Sequence, residues 1–277
     1  MNRSDLGAFS SLMRAKLIAI DIDGTLINDH LQMTSFTAET LRGLLSRGHV
    51  VILASGRPYR SLAPFYEAIG SQDPIIAYNG IHVYNPKDPN FVPVKHVFPS
   101  SSIIRIAQRL EGKITSMECE SDTMIYLQRE DAYLNHYFPY QDFPHQIGSI
   151  PSLLHEDVYT AVFRSTHQND PAVQAAVLSE KGMAYRHWTS SFYSEAYFPG
   201  VDKGSGLAYI AEKLGYAKED IIAFGDSDND LEMLSYAGKG FAIIHCKSPT
   251  LLANFPSTEK DNNHDGVALT LKDLLLK

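Results

Sequence analysis

An α/β fold, built as a doubly wound, Rossmann-like parallel sheet core interrupted by an inserted α+β domain, is predicted by three features of this sequence. Short continuous apolar runs recur and stop at small or acidic residues. Segments of helical periodicity lie between them, and the middle of the chain differs in texture from its two ends. The 277 residues suffice for two domains of ordinary size.

Taken in order, KLIAI leads to Asp21, VVILA to Ser55, IIAY to Asn79 and IIAF to Gly225. Runs this short, with no polar alternation, suit strands covered on both faces, as in a parallel sheet. After the first, Thr34 is placed to cap a helix whose Leu41, Leu44 and Leu45 share a face, and Gly48 stands where a left-handed stop is needed. Leu207, Ile210, Ala211 and Leu214 repeat at i, i+3, i+4 and i+7 ahead of Gly215, which predicts a second amphipathic helix buried along those four. From about Asn85 to Gly200 the chain is first turn-rich, in NPKDPN, and then alternates more, in TMIYLQ and VYTAVFRS, with prolines between. Core-like units resume only after Pro199 and Gly200. The predicted division is therefore 1–84 with 200–277 for the core and 85–199 for the insertion, one continuous large sheet being the alternative.

Composition removes several classes of function. With 44% hydrophobic and 20% charged residues the chain is neither disordered nor low in complexity, and no apolar run approaches the roughly 18 residues of a membrane helix. The N-terminal stretch MNRSDLGAFSSLMRAK is broken by Asp5, Arg14 and Lys16 and lacks the apolar segment of a secretory leader, so a cytoplasmic protein is expected. A net charge of −8 without any basic cluster opposes nucleic-acid binding. Cys119 and Cys246 form no C-x-x-C, and the 11 histidines include no pair at ligand spacing, which leaves no zinc site to propose. A small-molecule partner is expected, with the chain acting as a monomer or weak homo-oligomer.

The polar residues after the clearest strands carry the chemistry. In an open parallel sheet ligands bind beyond the carboxyl ends of the strands, so Asp21 and Asp23, Ser55 and Gly56, and Asp226 should meet at one crevice. D-I-D-G-T-L puts two carboxylates two residues apart at a strand end, with Gly24 free to turn sharply behind them; a turn with solvated aspartates is the plainer alternative. G-D-S-D-N-D, at Gly225 to Asp230, gathers three carboxylates and an amide where an oxygen-rich hard-cation site or an Asp-rich helix start would each be at home. Ser55-Gly56-Arg57-Pro58 offers a hydroxyl and backbone N–H groups ahead of a helix begun by Pro58, suited to phosphate or simply a serine cap. Lys203, in V-D-K-G-S-G-L, stands just before another helix and brings one positive charge.

In the order D-x-D-G-T-L, S-G-R-P, D-K-G and G-D-S-D-N-D, the four segments resemble the haloacid dehalogenase superfamily of phosphatases, over roughly 16–84 and 200–277. The place of the insertion, together with YNG at Tyr78 to Gly80, FPGVDKGSGL and DGVALTL, is similar to the Cof-type group, whose insertion is a large α/β cap. One loop departs from the family: after AGKGFAI, where relatives turn on small residues, stand Ile244, His245, Cys246 and Lys247.

The resemblance implies a phosphatase acting on monoesters of small metabolites, a sugar phosphate or similar, through an aspartyl-phosphate. Asp21 would be the nucleophile and Asp23 the proton donor and later base. Mg²⁺ would sit on the Asp21 carboxylate, the Asp23 backbone carbonyl and Asp226, with Asp230 orienting these ligands from behind. Ser55, Gly56, Lys203 and Asn229 would hold the phosphoryl group, and Arg57 and Asn79 would contact substrate or tie loops together. The same motifs also fit a phosphomutase, and a non-catalytic phosphometabolite-binding protein is disfavoured because both Asp21 and Asp23 are present. The membrane spans of a transport ATPase are missing.

Overall fold

The computed structural model describes residues 15–137, 139–166, 168–187 and 193–276. The N-terminal stretch on which the cytoplasmic expectation rests lies, up to residue 14, outside the described residues. The chain opens with β1 (Leu17–Asp21), α1 (Ser35–Ser46), β2 (Val50–Ala54), α2 (Tyr59–Ile69), β3 (Ile75–Ala77), β4 (His82–Tyr84) and β5 (Val94–Lys95). Its middle holds α3 (Ser100–Arg109), β6 (Ser116–Glu120), β7 (Ile125–Leu127), α4 (Ala132–Tyr137), β8 (His145–Ile147), α5 (Ile150–Leu153), β9 (Thr160–Arg164), α6 (Asp170–Leu178), β10 (Ala184–His187) and β11 (Tyr193–Tyr197). It closes with α7 (Lys203–Leu214), β12 (Ile221–Gly225), α8 (Leu231–Tyr236), β13 (Lys239–Ala242), α9 (Pro249–Asn254) and α10 (Gly266–Leu275). Two compact units result, Met1–Val94 with Asp202–Lys277, and Lys95–Val201.

In the first unit the described strands form one sheet of order β13-β12-β1-β2-β3-β4-β5. β13, β12, β1, β2 and β3 run parallel, and β4 folds back antiparallel on β3. Both faces are covered. Leu17, Ala19, Ile52 and Ala54 join Leu207, Ile210 and Ala211 of α7 in one cluster. Their neighbours of opposite parity, Ile18, Ile20, Val51 and Leu53, are just as fully buried, which explains why these strands show no alternation. Thr34 caps α1 by accepting the Thr37 N–H at 3.1 Å, and the helix gives way to Gly48 at φ +84°. On α7 the predicted stripe holds for three of its four members. Leu214 is 39% exposed, because as the last residue before the Gly215 stop it has no following turn to shelter it.

The second unit is a sheet of order β10-β11-β9-β6-β7-β8, antiparallel except for the β7–β8 pair. TMIYLQ and VYTAVFRS supply β7 and β9. Helices α5 and α6 each pack on α3, and Arg105 and Arg109 of α3 reach Glu180 just beyond α6. Among the described residues no helix is long and apolar enough to cross a membrane.

Candidate active site

Parallel strands in register deliver their following residues to one rim. Asp21, the last residue of β1, lies beside Ala54, which leads into Ser55; Ile20 lies beside Phe224, two residues before Asp226.

Lys203 makes the central connection. The Asp202 carboxylate accepts the Ser205 N–H at 2.7 Å while the Ser205 hydroxyl accepts the Asp202 N–H at 3.0 Å, so a capping box fixes Lys203 as the first residue of α7. Lys203 is 1% exposed, and its Nζ donates to Oδ1 of Asp21 at 2.5 Å and to Oδ1 of Asp230 at 2.6 Å. The second oxygen of Asp230 accepts the N–H groups of Asp226, at 3.0 Å, and Ser227, at 3.1 Å. Asp230 thus spends both oxygens on tying the 226–230 turn to Lys203.

The charge at this point does not balance. Asp21, Asp226 and Asp230 each offer a carboxylate oxygen within 4.8 Å of the others, and Lys203 is the cation bonded among them. Burial, reinforced by Asp230, pushes the Asp21 carboxyl well above its ordinary range in spite of Lys203. Burial and Asp230 likewise push Asp226 up to about 7. Burial works against the charge of Lys203, but Asp21 and Asp230 outweigh it and keep the amine firmly protonated. Oδ2 of Asp21 is buried with no hydrogen-bond partner. An orphaned carboxyl oxygen among hard oxygen donors short of positive charge is what a divalent cation completes, by favouring the ionised form that burial opposes. Asp230 already spends both oxygens on Lys203 and the 226–230 turn, so among the described residues Asp21 and Asp226 are the side chains of this group that could most readily hold one. The carboxylate of Asp23 stands outside this cluster, ion-paired to Arg57 at 2.8 Å.

Ser55 is buried, and its Oγ accepts the Arg57 N–H at 3.1 Å. The plain serine cap is thereby set aside: α2 starts only at Tyr59. Pro58 occupies the cap position instead of the first helical one, φ −70° and ψ 164°, and no side chain caps the helix. Asn229 donates from Nδ2 to Oδ1 of Asn79 at 2.9 Å, and a Cβ on Gly56 would stand 3.1 Å from the Asn79 amide. The solvated-turn alternative for Asp21 also falls, since that residue is only 5% exposed.

Three participants escape a reading by strand ends. Thr25 is buried and donates from Oγ1 to Asp226 at 3.4 Å; its only signal is its place after Asp-Gly. Asp202 and Ser205 set the start of α7 through the D-x-x-S spacing of a helix cap. The departing loop is the third: Ile244, His245, Cys246 and Lys247 line a cavity of about 440 Å³ together with Asp23, Gly24 and Asp226, and His245 is left-handed at φ +64°.

The family profile described as haloacid dehalogenase-like hydrolase matches residues 18–271. The 5-amino-6-(5-phospho-D-ribitylamino)uracil phosphatase YitU of Bacillus subtilis is 30% identical over 262 residues, 93% of this chain and 96% of that protein. The pyridoxal phosphate phosphatase YbhA of Escherichia coli is 25% identical over 241 residues, 83% of this chain and 88% of that one. A haloacid dehalogenase-like hydrolase structure from Bacteroides thetaiotaomicron has the same fold, with TM-score 0.84 and 23% identity over 95% of this chain and 100% of that one.

Proposed function

This chain belongs to the haloacid dehalogenase-like hydrolases and is a phosphoric monoester hydrolase, and from that premise we propose that it is a Mg²⁺-dependent phosphatase of small phosphorylated metabolites with Asp21 as nucleophile. The observation that carries this reading is the Asp21 carboxylate itself, held by Lys203 through one oxygen and left without a hydrogen bond on the other.

A carboxylate and a phosphate dianion repel each other, so attack requires positive charge at the phosphoryl oxygens. Lys203 supplies part of it. Asp21 and Asp226, with the backbone carbonyl of Asp23, would hold Mg²⁺, which when bound adds the rest. Ser55, Gly56 and Asn229 would orient the phosphoryl group with Lys203. The Asp21 carboxylate forms the new O–P bond as the ester O–P bond breaks, and Asp23, which enters this step in its protonated form, gives its proton to the departing alkoxide. Asp23, now a carboxylate, takes a proton from water as that water attacks phosphorus, releasing inorganic phosphate and restoring Asp21. Arg57 holds the Asp23 side chain near this path. We place substrate choice in the 95–201 unit, which carries none of the candidate catalytic, metal-binding or phosphate-binding residues, and among the names of the relatives a phosphorylated ribityl compound and pyridoxal phosphate are the first candidates.

Release of inorganic phosphate from a panel containing these two classes and several sugar phosphates, with Mg²⁺ and with a chelator, tests the reading. Mg²⁺-dependent release by the wild type and none by Asp21→Asn is expected. Turnover that survives either the chelator or Asp21→Asn overturns it, and isomerised ester in place of free phosphate identifies a mutase.

A further inference from the structure

The turn Tyr78–Gly80 touches three of the four motif segments. Its residues are all left-handed, with φ of +50° at Tyr78, +55° at Asn79 and +96° at Gly80. Two successive non-glycine residues in that region persist only where their surroundings impose it, and such backbone concentrates at functional sites. Here the surroundings are the site. Tyr78 N–H donates to the Arg57 carbonyl at 3.2 Å and Asn79 N–H to the Ser55 carbonyl at 2.9 Å, which fastens the turn to the Ser55–Arg57 loop. The Asn79 side chain lies over Gly56 and accepts from Nδ2 of Asn229 at 2.9 Å. Gly80 packs so closely on Asp202 that a Cβ would lie 2.1 Å from its carbonyl oxygen, one residue before Lys203.

We propose that this turn is the positioning element of the phosphoryl-binding set, and that Asn79 is the residue through which it fixes the amide of Asn229. The proposal rests on the reading above, in which Asn229 touches the phosphoryl group. Asn79 is not a catalytic residue. Its Oδ1 takes one N–H of Asn229, which stops rotation of that amide, while its backbone ties the same point to Ser55. One short segment thus sets the spacing of groups that come from three separate parts of the chain.

Asn79→Gly tests this directly, because glycine adopts the left-handed backbone without strain and removes only the side chain. The variant should melt close to the wild-type temperature, because relief of the left-handed strain offsets the lost side-chain hydrogen bond and the freer unfolded chain. Its kcat/KM should nevertheless fall roughly tenfold, the usual loss for one orienting hydrogen bond, and inhibition by inorganic phosphate should weaken in step. Asn79→Ala keeps the strain and loses the amide, so it should show the same kinetic defect and melt lower. In the double variant Asn79→Gly with Asn229→Ala, the loss should equal that of Asn229→Ala alone, since the two act as one unit. Full activity in Asn79→Gly beside a damaged Asn229→Ala, or additive losses in the double variant, overturns the positioning role. Full activity in Asn229→Ala overturns the phosphoryl contact on which that role depends.

Discussion

Gly24 passes so close to Asp226 that a Cβ on it would lie 2.4 Å from the Asp226 carboxylate, and Gly24 is itself left-handed at φ +78°. The glycine of D-x-D-G-T is therefore required twice, once by the backbone and once by the neighbour. Gly24→Ala should lose about 1–2 kcal/mol from the backbone alone. It should also push Asp226 away from Asp21, so the Mg²⁺ concentration for half-maximal activity should rise at least tenfold. Thermal melting and a Mg²⁺ titration read the two effects separately, and an unchanged titration midpoint would show that the contact does not set the cation site.

Cation binding should stabilise the fold as well as support activity, because it relieves the repulsion among Asp21, Asp226 and Asp230. At a hundred times its Kd, a bound ion adds about 2.7 kcal/mol. Mg²⁺ added to chelator-treated wild type should raise the melting temperature, and Asp226→Ala should abolish most of that rise. Ca²⁺ should raise it too while supporting little turnover, since its longer bonds and higher coordination number would displace the Asp21 carboxylate. An equal rise in Asp226→Ala would place the ion elsewhere.

The meeting of Asp21 and Asp226, and the placing of Ser55 one residue past the partner of Asp21, are legible because they follow from strand ends alone: a buried apolar run announces a strand, and parallel neighbours share a rim. The Lys203 contacts are not. A lysine two residues after Val201 carries no signal of its own until the Asp202–Ser205 cap fixes where α7 starts. The bond from Asn79 to Asn229 spans 150 positions and depends on a left-handed turn that no local preference at Tyr78 would suggest. Leu214 shows the reverse error, since periodicity marks a face but says nothing about where the cover ends.

Glu180 gives the second unit a pH dependence independent of the active site. Its carboxylate accepts from Arg105 Nε at 3.1 Å and Nη2 at 2.6 Å, and from Arg109 at 3.1 Å. The Arg105 hydrogen bonds, helped by Ser102 and Arg109, hold its carboxyl at about 2, against the usual 4.5. A carboxyl lowered in the folded state contributes full stability above its unfolded value and loses that contribution as pH falls through the folded one. Glu180→Gln should therefore unfold at lower urea concentration than wild type at pH 7, with the gap closing as pH drops from 4.5 toward 2. A gap constant across that range would show that the carboxylate charge contributes nothing.

The final expectation concerns Asp23, assigned to proton transfer and held at 2.8 Å by Arg57. General acid catalysis contributes about 10²–10⁴-fold, and how much depends on the leaving group's need for a proton. A sugar alkoxide leaves poorly without one, whereas p-nitrophenolate departs readily. Asp23→Asn keeps the backbone carbonyl but removes the donor, so formation of the phosphorylated Asp21 should slow far more with a sugar phosphate than with p-nitrophenyl phosphate. Hydrolysis of that intermediate should slow equally for both, because water loses the same base whichever ester delivered the phosphoryl group. Rapid-quench measurement of protein-bound phosphate resolves the two steps. Equal losses in the first step for the two esters would remove Asp23 from the role of acid, and unequal losses in the second would remove it from the role of base.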